Sequence, residues 1–116
     1  MARWKIKNVG MKGVAMAVPE NVVKTSDFDF FSQEEAEVFD NTVGIRRRHI
    51  APDNMCASDM CQAAAEKLLE ELGWERDSID VLLFESVTGD YRTPPTSCIL
   101  QDRLALSENC FCMDIP

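Results

Sequence analysis

No apolar run in this sequence approaches the roughly 20 residues that a membrane-spanning helix requires. The opening stretch MARWKIKNVG has no apolar core of the kind a secretory signal carries. A cytoplasmic location is the expectation. There is a single histidine, His49, and no C-x-x-C pair, so no metal-ligand set is assigned. The cysteines are Cys56, Cys61, Cys98, Cys110 and Cys112, an odd set of five. Cys110 and Cys112 would share one face of a strand, too adjacent for an easy disulfide. Five unpaired, mostly buried thiols in a reducing compartment is the reading. Positive charge is also short: 12 Lys and Arg face 20 Asp and Glu, for a net charge of −8. That balance argues for solubility and against general nucleic-acid binding. Repeats, low-complexity tracts and interdomain linkers are missing too, which leaves one ordinary domain with one core.

What is there is an alternation of apolar patterns. From Trp4 to Val18, the residues Trp4, Ile6, Val9, Val14, Met16 and Val18 predict a long strand, bent at Gly10 and Gly13 and ended by Pro19. Residues 20–27 read as a polar connection. Ser32 with Glu35 three residues later has the capping-box pattern, predicting a helix from Gln33 to about Asn41, with Gly44 as terminator. The segment 44–51 reads as short and extended. Ser58 is the expected N-cap of a second helix, with Cys61, Ala65, Leu68 and Leu72 at helical spacing and Gly73 at its end.

The last 37 residues organise the rest. Val81–Phe84 is an unbroken apolar run, predicting a central strand buried on both faces. Thr88-Gly89-Asp90 breaks it. Thr93 is the expected N-cap, and Pro94 the first residue, of a helix that turns Ile99, Leu100 and Leu104 inward and ends near Leu106. A second strand follows over Cys110–Ile115. Strand, crossover helix and strand make a parallel βαβ unit, and in such sheets chemistry gathers at the carboxyl ends of the strands.

Two clusters carry more than one reading. Arg46, Arg47 and Arg48 either pair with the abundant carboxylates or contact an anion such as a cofactor phosphate or an acidic carrier protein. Phe28, Phe30 and Phe31 either pack as core or lid, or cover an apolar pocket.

Four stretches resemble one family. They are TVGIRRRHI (42–50), the helix from Ser58 to Gly73 with Ile79-Asp80 after it, SVTGDYRTPPTSCILQDRL (86–104) and FCMDI (111–115). Together, in this order, they are similar to the amino-terminal part of the β-ketoacyl-acyl-carrier-protein synthase III enzymes of the thiolase-like superfamily. The resemblance implies an α/β fold: the amino-terminal part of a layered α/β/α half with a mixed sheet, residues 1–116 being a single partial thiolase-like domain. It implies a condensing acyltransferase of fatty acid or related acyl-chain biosynthesis. Such an enzyme joins an acyl group from acyl-coenzyme A to malonyl-acyl carrier protein with loss of CO2, and holds no tightly bound cofactor.

The resemblance also implies where the chemistry is placed. The family cysteine follows the FCMDI-like strand, so its position falls just past Pro116; Cys112 precedes Asp114 and is not that nucleophile. No catalytic residue is therefore assigned within the chain, and the isolated chain is expected to be inactive. The family's coenzyme-contacting tryptophan and arginine fall at Val38 and Thr42, which can neither stack on adenine nor bind phosphate. The family phenylalanine that reaches the partner subunit's pocket falls at Thr93, a smaller residue that leaves room for a longer or branched acyl chain. Tyr91, Pro94 and Ser97 lie in the segment that forms the family's dimer interface. The expected partners are acyl-coenzyme A, acyl carrier protein, and either a second copy or the remainder of the enzyme. Two other readings stand beside this one: a truncated, non-catalytic module that pairs with a full-length partner, and a free-standing α/β protein that binds an anion through Arg46–Arg48.

Overall fold

The structure is a computed structural model that describes Arg3 and residues 5–115. Trp4, which opens the expected first strand, lies outside the described residues, as does Pro116. The elements run β1 (Val22–Lys24), α1 (Gln33–Val43), β2 (Arg47–His49), α2 (Ala57–Leu72), β3 (Val81–Glu85), α3 (Thr96–Arg103) and β4 (Phe111–Ile115), with short 3-10 turns at Thr25–Asp27 and Arg76–Ser78. The alternation is α/β, and among the described residues the strands form two separate two-stranded sheets. β1 and β2 pair antiparallel, Val22 opposite His49, and β3 and β4 pair parallel, Val81 opposite Phe111 and Glu85 opposite Ile115.

The β3–α3–β4 unit holds the core. Asp80 O accepts from the Phe111 N–H at 2.8 Å and Ile115 O from the Ser86 N–H at 3.2 Å, so the ladder is closed at both ends. Phe84, Leu100 and Leu104 are buried together, and Ala57 and Ala65 of α2 pack on them with Leu82 and Leu106. Both helices thus cover the face of the sheet that carries Leu82 and Phe84. The opposite face is open: Val81 is 53% exposed, Leu83 55% and Phe111 57%. The expectation that β3 is buried on both faces is therefore corrected. Its residues are apolar on both sides, but the described residues supply a helical layer for only one.

α3 begins later than its local sequence predicts. The Thr93-Pro94 peptide is cis, Pro95 is the N-cap, and the helix opens at Thr96. Its first N–H groups, which have no partner within the helix, are satisfied from a distance. Asp114 on β4 accepts from the Thr96 N–H at 2.7 Å and from the Ser97 N–H at 2.8 Å. A carboxylate at a helix N-terminus completes two orphan donors and meets the positive end of the helix dipole. With that cap in place, Thr93 is not needed as one. α2 instead begins two residues earlier than expected: Cys56 is its N-cap, with its N–H donated to Asp59 Oδ2 at 2.7 Å. Ser58 lies one residue inside, fully buried, and its hydroxyl hydrogen-bonds the Asp90 carboxylate instead. Cys61 on this helix is exposed and not part of the buried stripe. Gly73 ends α2 in the left-handed region at φ 62, as its sequence predicts.

The amino-terminal segment departs most. Residues 5–19 form neither strand nor helix. Gly13 sits against α2, where a Cβ would fall 2.8 Å from Leu68 Cδ1. The positions that follow in the same phase, Ala15, Ala17 and Pro19, are the covered ones, while Val14, Met16 and Val18 point outward. That is the reverse of the predicted face: close approach to the helix selects the small residues. The polar connection of residues 20–27 contains β1, which apolar patterning does not flag because only Val23 of its three residues is half-covered. The Cα radius of gyration is 18.2 Å, against about 13 Å for a compact domain of this length.

Two expectations follow. Leu104 is 1% exposed in the centre of the core; Leu104→Ala should cost about 2–5 kcal/mol, read from urea unfolding. Burial pushes the Asp114 carboxyl up, but the hydrogen bonds from Ser97 and Thr96 outweigh it and hold it below its ordinary value of 3.8. A carboxyl lowered by folding contributes stability above its unfolded pKa, lost as pH falls through the folded one. Unfolding titrations should therefore show a loss of stability below about pH 4 that is smaller in Asp114→Asn.

Candidate functional site

Two places carry the residues that the sequence singles out. The first is the outer face of α1. Ser32 and Glu35 form the expected capping box, with the Glu35 N–H donated to Ser32 Oγ at 3.2 Å and the Ser32 N–H to Glu35 Oε2 at 2.9 Å. The Ser32 backbone bond, then its hydroxyl, hold the Glu35 carboxyl below its ordinary value, so it is charged at neutral pH. The helix runs two residues past the expected end and stops at Gly44, φ 78. On its exposed side lies an open groove of about 500 Å³ lined by Phe31, Val38, Phe39, Thr42 and Val43, with Glu34 and Glu35 at the rim. Val38 and Thr42 are thus brought together. Val38 is 65% exposed. The Thr42 hydroxyl donates to Val38 O at 2.7 Å, which occupies it within the helix. The groove lining is apolar with two carboxylates at its rim and contains no lysine or arginine.

Behind the groove the aromatic cluster is continuous. Ring centroids are 5.3 Å apart for Phe28–Phe30, 4.7 Å for Phe30–Phe31 and 5.3 Å for Phe31–Phe39. Of the three, Phe31 walls the groove together with Phe39, while Phe28 and Phe30 only pack beside it and Phe30 is exposed. Arg48 stacks on them, its guanidinium 5.2 Å from the Phe39 centroid and 5.9 Å from Phe28. It also donates to Thr25 Oγ1 at 3.4 Å, and the buried Thr25 hydroxyl donates to Asp40 at 2.6 Å. Among the described residues, neither Arg46, Arg47 nor Arg48 forms an ion pair. Arg48 is committed to the aromatic cluster, so an anion would meet only Arg46 and Arg47, which are exposed.

The second place is the loop between β3 and α3. Tyr91, Thr93 and Pro94 are exposed on it. Ser97 is fully buried in the first turn of α3, and among the described residues its hydroxyl has no hydrogen-bond partner. A partner at this surface would meet Tyr91 and Pro94 rather than the Ser97 side chain. The loop is pinned by Asp90, which the sequence reads only as part of a chain-breaking turn. Its carboxylate hydrogen-bonds the Ser58 hydroxyl and accepts from the Ser58 N–H at 3.3 Å, while its own N–H donates to Thr96 Oγ1 at 3.2 Å. Arg103 reaches Ser58 Oγ at 2.9 Å and Asp59 at 3.0 Å. This loop and the α1 groove share no lining residue.

The cysteines are less buried than predicted. Cys56, Cys61 and Cys98 are exposed; Cys110 is buried and Cys112 partly covered. Burial, then the neighbouring Cys110, push the Cys112 thiol up to about 11. Burial, then the Asp90 charge, also raise Cys61. Neither is a thiolate near neutral pH, as a nucleophile would need to be. Among the described residues no group of three or more His, Cys, Asp or Glu side chains could hold a metal, and no helix is long and apolar enough to cross a membrane.

The sequence matches no family model. It is 34% identical over 110 residues to a β-ketoacyl-acyl-carrier-protein synthase III of Clostridium perfringens and 36% identical over 106 residues to that of Geobacillus kaustophilus. These matches cover 95% and 91% of this chain but 33% and 34% of the relatives, so the chain spans about a third of their length. The fold is similar to a 3-oxoacyl-acyl-carrier-protein synthase from Burkholderia xenovorans, at a TM-score of 0.84 and 39% identity over 89% of this chain and 30% of that one. OleA from Xanthomonas campestris shares the fold at a TM-score of 0.77 and 24% identity. Over a segment about one third as long as these relatives, the chain is similar to the thiolase-like β-ketoacyl-acyl-carrier-protein synthase III enzymes.

Proposed function

We propose that this chain is the amino-terminal part of a condensing acyltransferase. That enzyme takes an acyl group from an acyl-coenzyme A and joins it to malonyl-acyl carrier protein. In the reaction a cysteine thiolate attacks the acyl carbonyl and the coenzyme A thiol leaves. Malonyl decarboxylation then yields CO2 and an enolate. The enolate carbon attacks the acyl-enzyme thioester, which releases the cysteine and forms the β-ketoacyl product. The similarity to several relatives over 84–95% of the chain is what supports this reading.

The residues of this chain then have supporting roles. β3, α3 and β4 form the frame, and Asp114 fixes the end of β4 from which the chain would continue to the nucleophile. Thr93 on the exposed loop is proposed to border the acyl pocket of a partner subunit. Tyr91 and Pro94 are proposed to lie at a two-fold interface. The open sheet face around Leu83 and Phe111 is proposed to be covered by the remainder of the enzyme, because apolar faces of this kind drive association. Val38 and Thr42 depart from a coenzyme-binding pair, so acetyl-coenzyme A need not be the donor.

Incubation with acyl-coenzyme A and radiolabelled malonyl-acyl carrier protein, followed by intact-mass analysis, tests the reading. The 116-residue chain should gain no stoichiometric thioester on any of its five cysteines. A native gene product that carries this segment and continues past Pro116 should gain one and release labelled CO2. Turnover by the short chain, or no acylation of the longer product with any acyl-chain length, would contradict it.

A further inference from the structure

The carboxylates around the α1 groove set the chemistry of what it can hold. α1 carries Glu34, Glu35, Glu37 and Asp40 and no lysine or arginine. Beside the apolar groove lies a second depression, lined by Ser26, Gln33, Glu34, Ala36, Glu37 and Asp40. The two share Glu34. The helix therefore presents an apolar slot along one side and an acidic shelf along the next. Val38 and Val43 are exposed in the slot, and Arg48 is turned onto Phe39. Such a surface repels polyphosphates and acidic helices. It complements a helix with a row of apolar side chains and lysines or arginines flanking that row. Helix-in-groove recognition uses this pairing: apolar anchors three and four residues apart for the seat, opposite charge for orientation.

We propose that the α1 face docks a basic amphipathic helix of a partner protein, with apolar anchors between Val38, Val43 and Phe31 and cations on Glu34 and Glu37. The proposal stands on the shape and charge of this face and does not depend on the acyl-transfer reading.

The test uses the full chain and a fluorescein-labelled synthetic helix of about 14 residues, four turns, with leucines at positions i, i+3 and i+7 and lysines flanking them. Anisotropy should show saturable binding, at least about tenfold weaker at 1 M salt than at 0.1 M, since screening shortens the reach of the carboxylates. Glu34→Gln and Glu37→Gln should each weaken it about two- to fivefold. Val38→Ser with Val43→Ser should weaken it more than about tenfold. Both valines are exposed, so circular dichroism should show the helix content unchanged. The proposal is overturned if the same peptide with acetylated lysines binds as well, if the double serine variant binds undiminished, or if no binding is seen. Sedimentation adds one more outcome: self-association that disappears in the serine variant would assign the groove to a second copy of this chain and overturn the proposal.

Discussion

Two hydrogen bonds from a helix start to one carboxylate hold this structure in register. Asp114 sits on β4, and the Thr96 and Ser97 N–H groups that it accepts are the first of α3. The chain between them has to cross the sheet for those groups to meet. The contact thereby fixes the crossover, the direction of α3 and the parallel pairing of β4 with β3. Around it, Leu100 and Leu104 come down on Phe84, and Asp90 ties the preceding loop to α2 through Ser58. Polar groups position this unit and a small apolar cluster supplies its burial.

The same unit is apolar on the side that faces no helix. Val81, Leu83, Phe111 and Met113 form a row on the open face of the two-stranded sheet. Several apolar residues of the extended amino-terminal segment are exposed as well. A chain that spans about a third of its relatives has little to place over these surfaces. The large radius of gyration follows from the same shortage, since few layers close on one another.

The parts that were legible in the sequence are those set by local chemistry. Ser32 with Glu35, Gly44 and Gly73 mark helix ends through groups within a few residues, and they act as read. Val81–Phe84 and the 111–115 stretch read as strands because apolar β-formers are adjacent. What escaped was decided at a distance. Ser58 reads as a cap, but its hydroxyl is taken by Asp90, 32 residues away. Thr93 reads as a cap, but α3 is capped by a strand carboxylate. Asp114, a charge inside an otherwise apolar strand, was the one visible signal of that contact. The phase of residues 13–19 is inverted, with Gly13 close against α2 at Leu68 and Leu72, which hydrophobicity cannot show. At the candidate site, Val38 and Thr42 were placed by resemblance, and the groove joining them depends on helix geometry.

Native-state hydrogen exchange resolved by residue tests the central claim, that the Asp114-clamped β3–α3–β4 unit is the stable centre and the amino-terminal segment is unpaired. The account predicts the slowest exchange at the ladder amides of β3 and β4 and at Leu104, with Thr96 and Ser97 protected to a similar degree. Residues 5–18 should exchange near the rate of an unfolded chain. Protection of residues 5–18 equal to that of β3, or rapid exchange at Thr96 and Ser97, would contradict it.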